Sequence, residues 1–369
     1  MGDFLVLHKW ICALLCAACV LSALCGCAQT MIDNELSSQE NIHSSKDRAH
    51  LPAVQYLNTD GTASSEEGTI SPFSPENLQV TPIPEGKEGL VIRDIKQSAE
   101  DQIQLYGNID LNNPETVAAL EQIHQLLSNY DKDIAFCAYS LDGSRAIAYN
   151  CEEKYFSACT IKASYMLYCC LAIEEGLVSP DDTMAYDKEK YHHGGSGQIK
   201  NAEDGTVYTI RELIRLSLRY SDNIAYKMLV AYFGKDGYNN FVEELGVSRL
   251  RLSSSTSVST VWNHNMNTRD LCIIWRELYF YFASETEMAK LYKTACTNTP
   301  YNYATKYLTE DYTHKSGDKF APDPVYNDGA IVWKNTPYVV ATLNGSEGEE
   351  VDEYVVATIV KLINDHIMK

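Results

Sequence analysis

The chain has 369 residues, 45% of them hydrophobic, and a formal net charge of −20 at pH 7. It is long for one domain, so part of it is expected to lie outside a single core. The acidic residues are spread along the sequence and no basic stripe occurs, which excludes nucleic acid as an expected partner and disfavours broad adsorption to anionic lipid.

The first 27 residues have the pattern of an export signal. A short cationic start precedes an apolar run from Ile11 to Leu24, which is too short to span a bilayer comfortably. The run ends in Leu-Cys-Gly-Cys, which resembles the bacterial lipobox, where a small residue precedes the cysteine that is lipidated. We predict a lipoprotein signal peptide over residues 1–27, with Cys27 as the lipid anchor on the extracytoplasmic face of a bacterial cell membrane. An ordinary signal peptide and a short membrane helix are the alternatives.

Residues 28–110 are predicted to form a disordered acidic tether. Five of the eleven prolines lie between Ala28 and Glu100, among many Ser, Thr, Asn and acidic residues without sustained periodicity. A flexible chain of this length has a root-mean-square span on the order of 50 Å. Such a tether would let a lipid-anchored domain work in the cell-wall layer above its membrane.

The remaining residues, 111–369, show an ordered succession of elements. An amphipathic helix begins at Asn113, an Asp-Gly turn joins two β-type runs within residues 133–150, and a mostly helical stretch follows from Thr160 to about Leu291. Three β-type runs then precede a closing amphipathic helix. This order predicts an α/β sandwich: a five-stranded antiparallel sheet packed by N- and C-terminal helices, with an inserted all-helical lobe at about residues 160–300.

The twelve cysteines fall into two groups. Five lie in the predicted export segment, and the other seven are Cys137, Cys151, Cys159, Cys169, Cys170, Cys272 and Cys296. An odd number leaves at least one thiol unpaired unless a bond joins two chains. No Cys/His spacing typical of zinc sites occurs, so neither a metal nor another cofactor is predicted. Cys169 and Cys170 are expected to pack as small hydrophobic residues.

Cys159 and Lys162 form the first chemical motif, at the start of an apolar and therefore buried helix. Residues three apart share a helix face, so the ammonium of Lys162 is expected one turn above the thiol. A helix N-terminus and a nearby cation both lower a thiol pKa. A lysine at the mouth of a buried helix also requires a partner or a function.

Two further motifs follow along the chain. Ser221-Asp222-Asn223 places a hydroxyl and an amide in a turn before another helix. In His314-Lys315-Ser316-Gly317, strand alternation sends Lys315 and Gly317 to one side of the sheet and the other two residues to the opposite side. A glycine in a strand permits the close approach of a ligand or another backbone. Each triplet alone is weak evidence for a functional site, but the three motifs in this order are strong evidence for one.

With these motifs the chain resembles the penicillin-recognising serine hydrolases, in the branch that contains class A β-lactamases and related D,D-peptidases. Those proteins carry Ser-x-x-Lys, Ser-Asp-Asn and Lys-[Thr/Ser]-Gly motifs. The resemblance extends from about Asn113 to the C-terminus and includes "GSG" at residues 195–197.

The resemblance implies a role for each motif residue. Cys159 occupies the nucleophile position, Lys162 is its base or electrostatic activator, and Ser221 relays a proton to the leaving amine. Asn223 would bind a substrate amide, while Lys315 and Ser316, beside Gly317, would hold the substrate carboxylate. The backbone N–H groups of Cys159 and Asp318 would form the oxyanion hole.

The sequence departs from the family at two places. Cysteine replaces serine at position 159, and neither Ser157 nor Ser164 has a lysine three residues later. The stretch Ser253 to Asn267, where class A β-lactamases have a glutamate that activates the deacylating water, contains no acid. Efficient penicillin hydrolysis is therefore not expected.

Several functions stay open at this point. We favour a hydrolase or acyltransferase of the cell envelope that acts through an acyl intermediate on Cys159, as a monomer, on a β-lactam or a peptidoglycan stem peptide. The alternatives are a catalytically impaired binder of the same ligands, a true β-lactamase and an adhesin-like interaction protein. A cysteine peptidase with a histidine base is also considered, with these candidates: His124, His192, His193, His264 and His314. That Cys159 is merely a small core residue is disfavoured, since the other motif residues are present.

Overall fold

The computed structural model describes residues 73–83, 89–96, 102–128, 134–253, 261–319, 325–345 and 353–369, all within the unit Thr69–Lys369. The predicted signal peptide with Cys27, and the predicted tether up to residue 72, lie outside the described residues. Within the described ranges, no helix is both long enough and apolar enough to cross a bilayer.

The predicted strands and helices occur in the predicted order along the described chain, together with four short strands that were not predicted. The strands are β1 (Val80–Thr81), β2 (Gln104–Gly107), β3 (Ile134–Ser140), β4 (Arg145–Tyr149), β5 (Thr183–Ala185), β6 (Val207–Thr209), β7 (Asp311–Lys319), β8 (Val325–Trp333) and β9 (Tyr338–Asn344). The α-helices are α1 (Pro114–Leu127), α2 (Ile161–Glu174), α3 (Lys188–Tyr191), α4 (Ile210–Arg219), α5 (Asn223–Phe233), α6 (Asp236–Glu244), α7 (Thr268–Ala283), α8 (Glu287–Thr297) and α9 (Glu353–Leu362).

The main sheet is larger than predicted. Its strand order is β1-β2-β4-β3-β9-β8-β7, so the sheet has seven strands instead of the predicted five. The five predicted strands pair with one another in antiparallel fashion, and the edge strand β1 pairs with β2 in parallel. Strand β2 runs antiparallel to β4, with Leu105 opposite Ile147.

Both additional strands lie in the stretch that the sequence analysis assigns to the tether. They have two and four residues, too few to show periodicity among prolines and polar residues. The tether boundary predicted at residue 110 is therefore too late, because the sheet already includes residues before it.

Both faces of the sheet are covered, which explains the unbroken apolar character of its central strands. Every residue of β3 is buried. Phe136 and Ala138 join a core with α1 and α9, whereas Ala135 and Cys137 join a core with α2 and α7. A strand buried on both faces shows no apolar–polar alternation. The predicted α/β sandwich is confirmed, with terminal helices on one face and the helical lobe on the other.

Local sequence signals set several boundaries. The Asn113 side chain accepts the N–H of Glu115 and begins α1. Gly143 has a φ of +71° in the turn between β3 and β4. The small β5–β6 sheet within the helical lobe was not predicted, because each of its strands has only three residues.

Candidate active site

Cys159 lies in a single turn of 3-10 helix, Ala158–Thr160, immediately before α2. The preceding Ala158 has a φ of +44°, a left-handed conformation that is unfavourable for a residue with a Cβ atom. Strand β7 passes directly beside this turn: a Cβ atom on Gly317 would lie 2.6 Å from the Cys159 nitrogen and 2.7 Å from the Thr160 nitrogen. Only glycine at position 317 therefore allows the strand to approach the Cys159 backbone so closely.

Lys162 is fully buried, and its ammonium connects the first two motifs. Its Nζ lies 3.3 Å from the Cys159 Sγ, in agreement with the one-turn spacing. The same Nζ donates to the Ser221 carbonyl oxygen at 2.6 Å and to the Asn223 Oδ1 at 2.7 Å, and it lies 3.3 Å from the Ser221 Oγ. The buried lysine thus has the partners that its desolvation requires.

The electrostatics of the pair favour a thiolate. Burial opposes ionisation of the Cys159 thiol, but Lys162, Lys315 and a hydrogen bond with Ser221 outweigh it, so the pKa of Cys159 lies below that of an ordinary thiol. The pKa of Lys162 is lowered too, first by burial and also by Lys315, although Cys159 opposes this. The lowered pKa of Cys159 favours its thiolate form, and the lowered pKa of Lys162 favours release of a proton from its ammonium group.

Cys159 differs in this respect from other thiols of the described chain. All seven described cysteines are buried and none forms a disulfide. Burial raises the pKa of Cys169, which lies on the same helix, and raises that of Cys296 to about 12. Those thiols stay protonated and pack as apolar groups, as the sequence analysis expected of Cys169.

The second motif is held by the carboxylate of Asp222, which is completely buried. One oxygen accepts the N–H groups of Ile224 and Ala225 and thereby caps α5. The other oxygen accepts the N–H groups of Gln198 and Ile199, at 2.6 and 2.9 Å. These four hydrogen bonds fix a turn in which Ser221 has a φ of +52°.

The third motif completes the cluster from β7. The Lys315 Nζ lies 3.1 Å from the Ser221 Oγ, so this hydroxyl lies between the Lys162 and Lys315 ammonium groups. His314 faces the opposite side, where its Nδ1 lies 3.0 Å from the Asp328 Oδ1, as strand alternation predicts. The Ser316 hydroxyl donates to the Tyr301 carbonyl oxygen at 3.1 Å. Asp318, next to Gly317, is half-buried.

The structure also adds residues that the sequence analysis did not place in the site. His193, which the sequence suggested only as a candidate histidine base, has its Nδ1 3.0 Å from the Gly195 nitrogen and 3.3 Å from the Asn223 Nδ2. A Cβ atom on Gly197 would lie 2.3 Å from the Asp222 Cγ, so the "GSG" stretch packs against the Ser-Asp-Asn turn. The glycines of "HHGGSGQ" were the available signal, because closely packed backbone favours glycine.

The described end of the acid-free stretch lies beside the nucleophile turn. Of its residues, Ser253 and Val261–Asn267 are described, while residues 254–260 lie outside the described residues. The Asn263 N–H donates to the Ser157 Oγ at 3.1 Å, and the Ser157 N–H donates to the Asn263 carbonyl oxygen at 2.8 Å. Asn263 itself binds the carbonyl oxygens of Arg249 and Arg251 through its Nδ2.

A histidine base receives no support from the contacts of the thiol. The side chains that contact the Cys159 Sγ by hydrogen bonds in the described residues are those of Lys162, Asn223 and Ser221, and none of these is a histidine. Among the described residues, no three His, Cys, Asp or Glu side chains are grouped so that they could hold a metal ion.

Three features define the class of β-lactamases and penicillin-binding proteins. They are a lysine-activated nucleophile on a buried helix, a Ser-Asp-Asn turn, and a Lys-Ser-Gly strand at the edge of an α/β sandwich. The profile of the Beta-lactamase enzyme family matches residues 118–367, and the chain belongs to that family.

Solved structures have the same fold at low sequence identity. A β-lactamase from Sphaerobacter thermophilus is 16% identical, with 67% of this chain and 97% of that chain covered and a TM-score of 0.57. PBP-A is 17% identical, with 67% and 94% covered and a TM-score of 0.57. A β-lactamase from Xanthomonas campestris is 14% identical, with 69% and 98% covered and a TM-score of 0.59. No curated protein matches the chain.

Proposed function

We propose that the protein is a hydrolase or acyltransferase of the cell envelope that forms an acyl intermediate on Cys159. The observation that carries the proposal is the position of the Lys162 ammonium, 3.3 Å from both the Cys159 Sγ and the Ser221 Oγ. One buried cation thus adjoins the nucleophile and a proton relay. The expected substrate is a β-lactam or the peptide amide of a peptidoglycan stem.

The acylation step follows from this arrangement. The Cys159 thiolate attacks the carbonyl carbon, and the carbonyl oxygen becomes an oxyanion that the N–H groups of Cys159 and Asp318 would stabilise. When this tetrahedral intermediate collapses, the carbon–nitrogen bond breaks and the sulfur–carbon bond remains. The leaving nitrogen takes a proton from the Ser221 hydroxyl. Ser221 regains a proton from the Lys162 ammonium, whose lowered pKa eases the transfer. The products are a thioester and an amine, and Lys162 is left neutral.

The substrate carboxylate would bind opposite the scissile bond, at Lys315 and Ser316. Lys315 is fully buried and contacts Ser221, so a carboxylate bound there would also position the relay hydroxyl. For Ser316 to bind a ligand, its hydroxyl would have to release the Tyr301 carbonyl.

The fate of the thioester is the point at which this chain departs from class A β-lactamases. The stretch Ser253 to Asn267 supplies no carboxylate to activate water. Neutral Lys162 is then the base that remains, and a thioester reacts with amines more readily than an ester does. Transfer to an amine, or a long-lived adduct, is therefore favoured over rapid hydrolysis.

A neighbouring structure supports a covalent intermediate on this fold. A variant of PBP-A, 17% identical to this chain, is described as an acyl-enzyme complex with penicillin G. We further propose that the protein is a monomer, anchored through Cys27 and its tether to the outer face of a bacterial cell membrane.

Intact mass spectrometry over time tests the proposal. The purified protein and its Cys159→Ala and Cys159→Ser variants are each exposed to benzylpenicillin and to a D-Ala-D-Ala-like thioester. We expect an adduct on the native protein and none on Cys159→Ala. An absence of adducts with every compound overturns the proposal and favours a binding protein, whereas rapid catalytic loss of benzylpenicillin identifies a true β-lactamase.

A further inference from the structure

The Lys162 nitrogen is held in direct contact with the Cys159 sulfur. Its Nζ lies 3.3 Å from the Cys159 Sγ, within the range of about 3–3.5 Å from which two atoms can react. Hydrogen bonds to the Ser221 carbonyl oxygen and the Asn223 Oδ1 fix the nitrogen there. A change of the sulfur that makes it an electrophile would therefore bring it into reaction with this nitrogen.

Cys159 is suited to oxidation, whereas the two other cysteines of the same helix region are not. Burial raises the pKa of the Cys159 thiol, but Lys162 and other groups lower it more, and the thiolate is the form that peroxides oxidise. Cys159 also keeps 6% of its surface exposed, which lets a small peroxide reach it. Cys169 and Cys170 are completely buried, and burial raises the pKa of both.

Lys162 supplies the nucleophilic nitrogen at this sulfur. Among the described residues, the other side chains with hydrogen bonds to the Cys159 Sγ are Asn223, which contacts it through its amide oxygen, and Ser221, which has a hydroxyl. Burial lowers the pKa of Lys162 and so increases the fraction of neutral amine. A sulfenic acid on Cys159 would thus lie against an amine that can displace its hydroxyl.

We propose that Cys159 and Lys162 form a modification site at which a peroxide joins the sulfur to the nitrogen in a sulfenamide. The Cys159 thiolate attacks hydrogen peroxide, the oxygen–oxygen bond breaks, and hydroxide leaves. The sulfur is thereby oxidised to a sulfenic acid and the peroxide is reduced. The neutral Lys162 amine then attacks the sulfur, the sulfur–oxygen bond breaks, and the hydroxyl leaves as water with one amine proton.

The crosslink is reversible and keeps the sulfur at a low oxidation level. One added thiol attacks the sulfur and releases the Lys162 amine, and a second attacks the resulting mixed disulfide and restores the Cys159 thiol. Further oxidation of a sulfenic acid to a sulfinic acid is not reversed by thiols. The sulfenamide therefore protects the nucleophile, and while it lasts the sulfur cannot attack a carbonyl carbon.

Peptide mapping after peroxide treatment tests the proposal. The native protein is treated with hydrogen peroxide, denatured, alkylated with iodoacetamide and digested with trypsin, which ordinarily releases residues 155–162 by cleavage after Lys162. We expect cleavage there to be lost and the peptide 155–188 to appear instead, lighter by two hydrogens than the same peptide with a free Cys159 thiol. Cys169 and Cys170 in this peptide are alkylated and serve as internal controls.

Lys162→Arg is the matched variant. It keeps a cation and a tryptic site at this position, but a guanidinium stays protonated and does not condense with a sulfenic acid. We expect the variant to form a sulfenic acid that dimedone traps, followed by a sulfinic acid, with undiminished cleavage after position 162.

The outcomes are distinct from those of the proposed function, because the crosslink is read without any acylation. If native Cys159 stays a free thiol under peroxide, or becomes a sulfinic acid while trypsin still cleaves after Lys162, the proposal is overturned. Should Lys162→Arg not fold, the native protein decides. Excess dithiothreitol must then restore both the Cys159 thiol and the cleavage after Lys162, and a mass loss that survives this reductant contradicts the sulfenamide.

Discussion

The Lys162 ammonium donates to the carbonyl oxygen of Ser221 at 2.6 Å, and the backbone of Ser221 has a φ of +52°. This bond turns the Ser221 carbonyl toward α2 while its hydroxyl stays within reach of both lysines. Strained backbone at an observed outlier is a mark of functional sites. The nucleophile helix and the relay turn are therefore held in one fixed relation.

Removal of the lysine is expected to change the pH dependence of Cys159 reactivity. Alkylation by iodoacetamide follows the thiolate fraction, which grows as pH rises through the thiol pKa. In the native protein burial raises the pKa of Cys159, but the nearby charge of Lys162 and other groups lowers it more. Alkylation therefore reaches half its maximum at a lower pH than it does for an ordinary thiol. In Lys162→Met the profile shifts to higher pH. Peptide mapping at Cys159 measures both profiles, with Lys190→Met as the control, and coincident profiles would refute the electrostatic role.

Gly317→Ala is expected to disrupt the junction between β7 and the nucleophile turn. The new Cβ atom would meet the Cys159 nitrogen at 2.6 Å, a contact with backbone that only a shift of the strand can relieve. We expect a loss of about 2 kcal/mol in the free energy of unfolding and a marked loss of acylation rate. Gly194→Ala, which meets nothing within 4 Å, is the matched control. Equal urea midpoints for the two variants would contradict the close approach.

Asp222→Asn is expected to loosen the Ser-Asp-Asn turn. An amide retains one acceptor oxygen, so the N–H groups of Gln198 and Ile199 lose theirs. Two lost hydrogen bonds to a buried carboxylate correspond to about 3 kcal/mol in urea unfolding. The control is Asp187→Asn, at an exposed cap whose carboxylate accepts the Lys190 N–H. A stability loss no greater than that of the control would show that Asp222 is not the fixing residue.

The acyl adduct is expected to be long-lived in buffer and to disappear faster when an amine is supplied. The reason is the acid-free stretch Ser253 to Asn267, which leaves water without a general base there. Mass spectrometry of the isolated adduct, with increasing D-alanine, measures the rate of its loss and detects the amide product. Loss at a rate independent of D-alanine would mean hydrolysis and would argue against transfer.

Much of the site could be predicted from sequence, because its residues lie in three short motifs with fixed local geometry. The one-turn spacing placed Lys162 beside Cys159, and strand alternation separated Lys315 from His314. The convergence of the motifs came from the resemblance, since local patterns carry no information on distances between remote segments.

The parts that sequence did not reveal depend on tertiary contacts. Strands β1 and β2 are too short to be periodic and are stabilised by pairing with residues far along the chain, such as Leu105 with Ile147. His193 lies in a glycine-rich loop, and only the fold brings it to Asn223.

The most direct test of the central claim is to map the bond that benzylpenicillin forms. The native protein is acylated and digested, and the modified peptide is sequenced by mass spectrometry before and after neutral hydroxylamine, which cleaves thioesters. We expect a single adduct on Cys159 that hydroxylamine removes. An adduct on another residue, or one on this peptide that resists hydroxylamine, would contradict it.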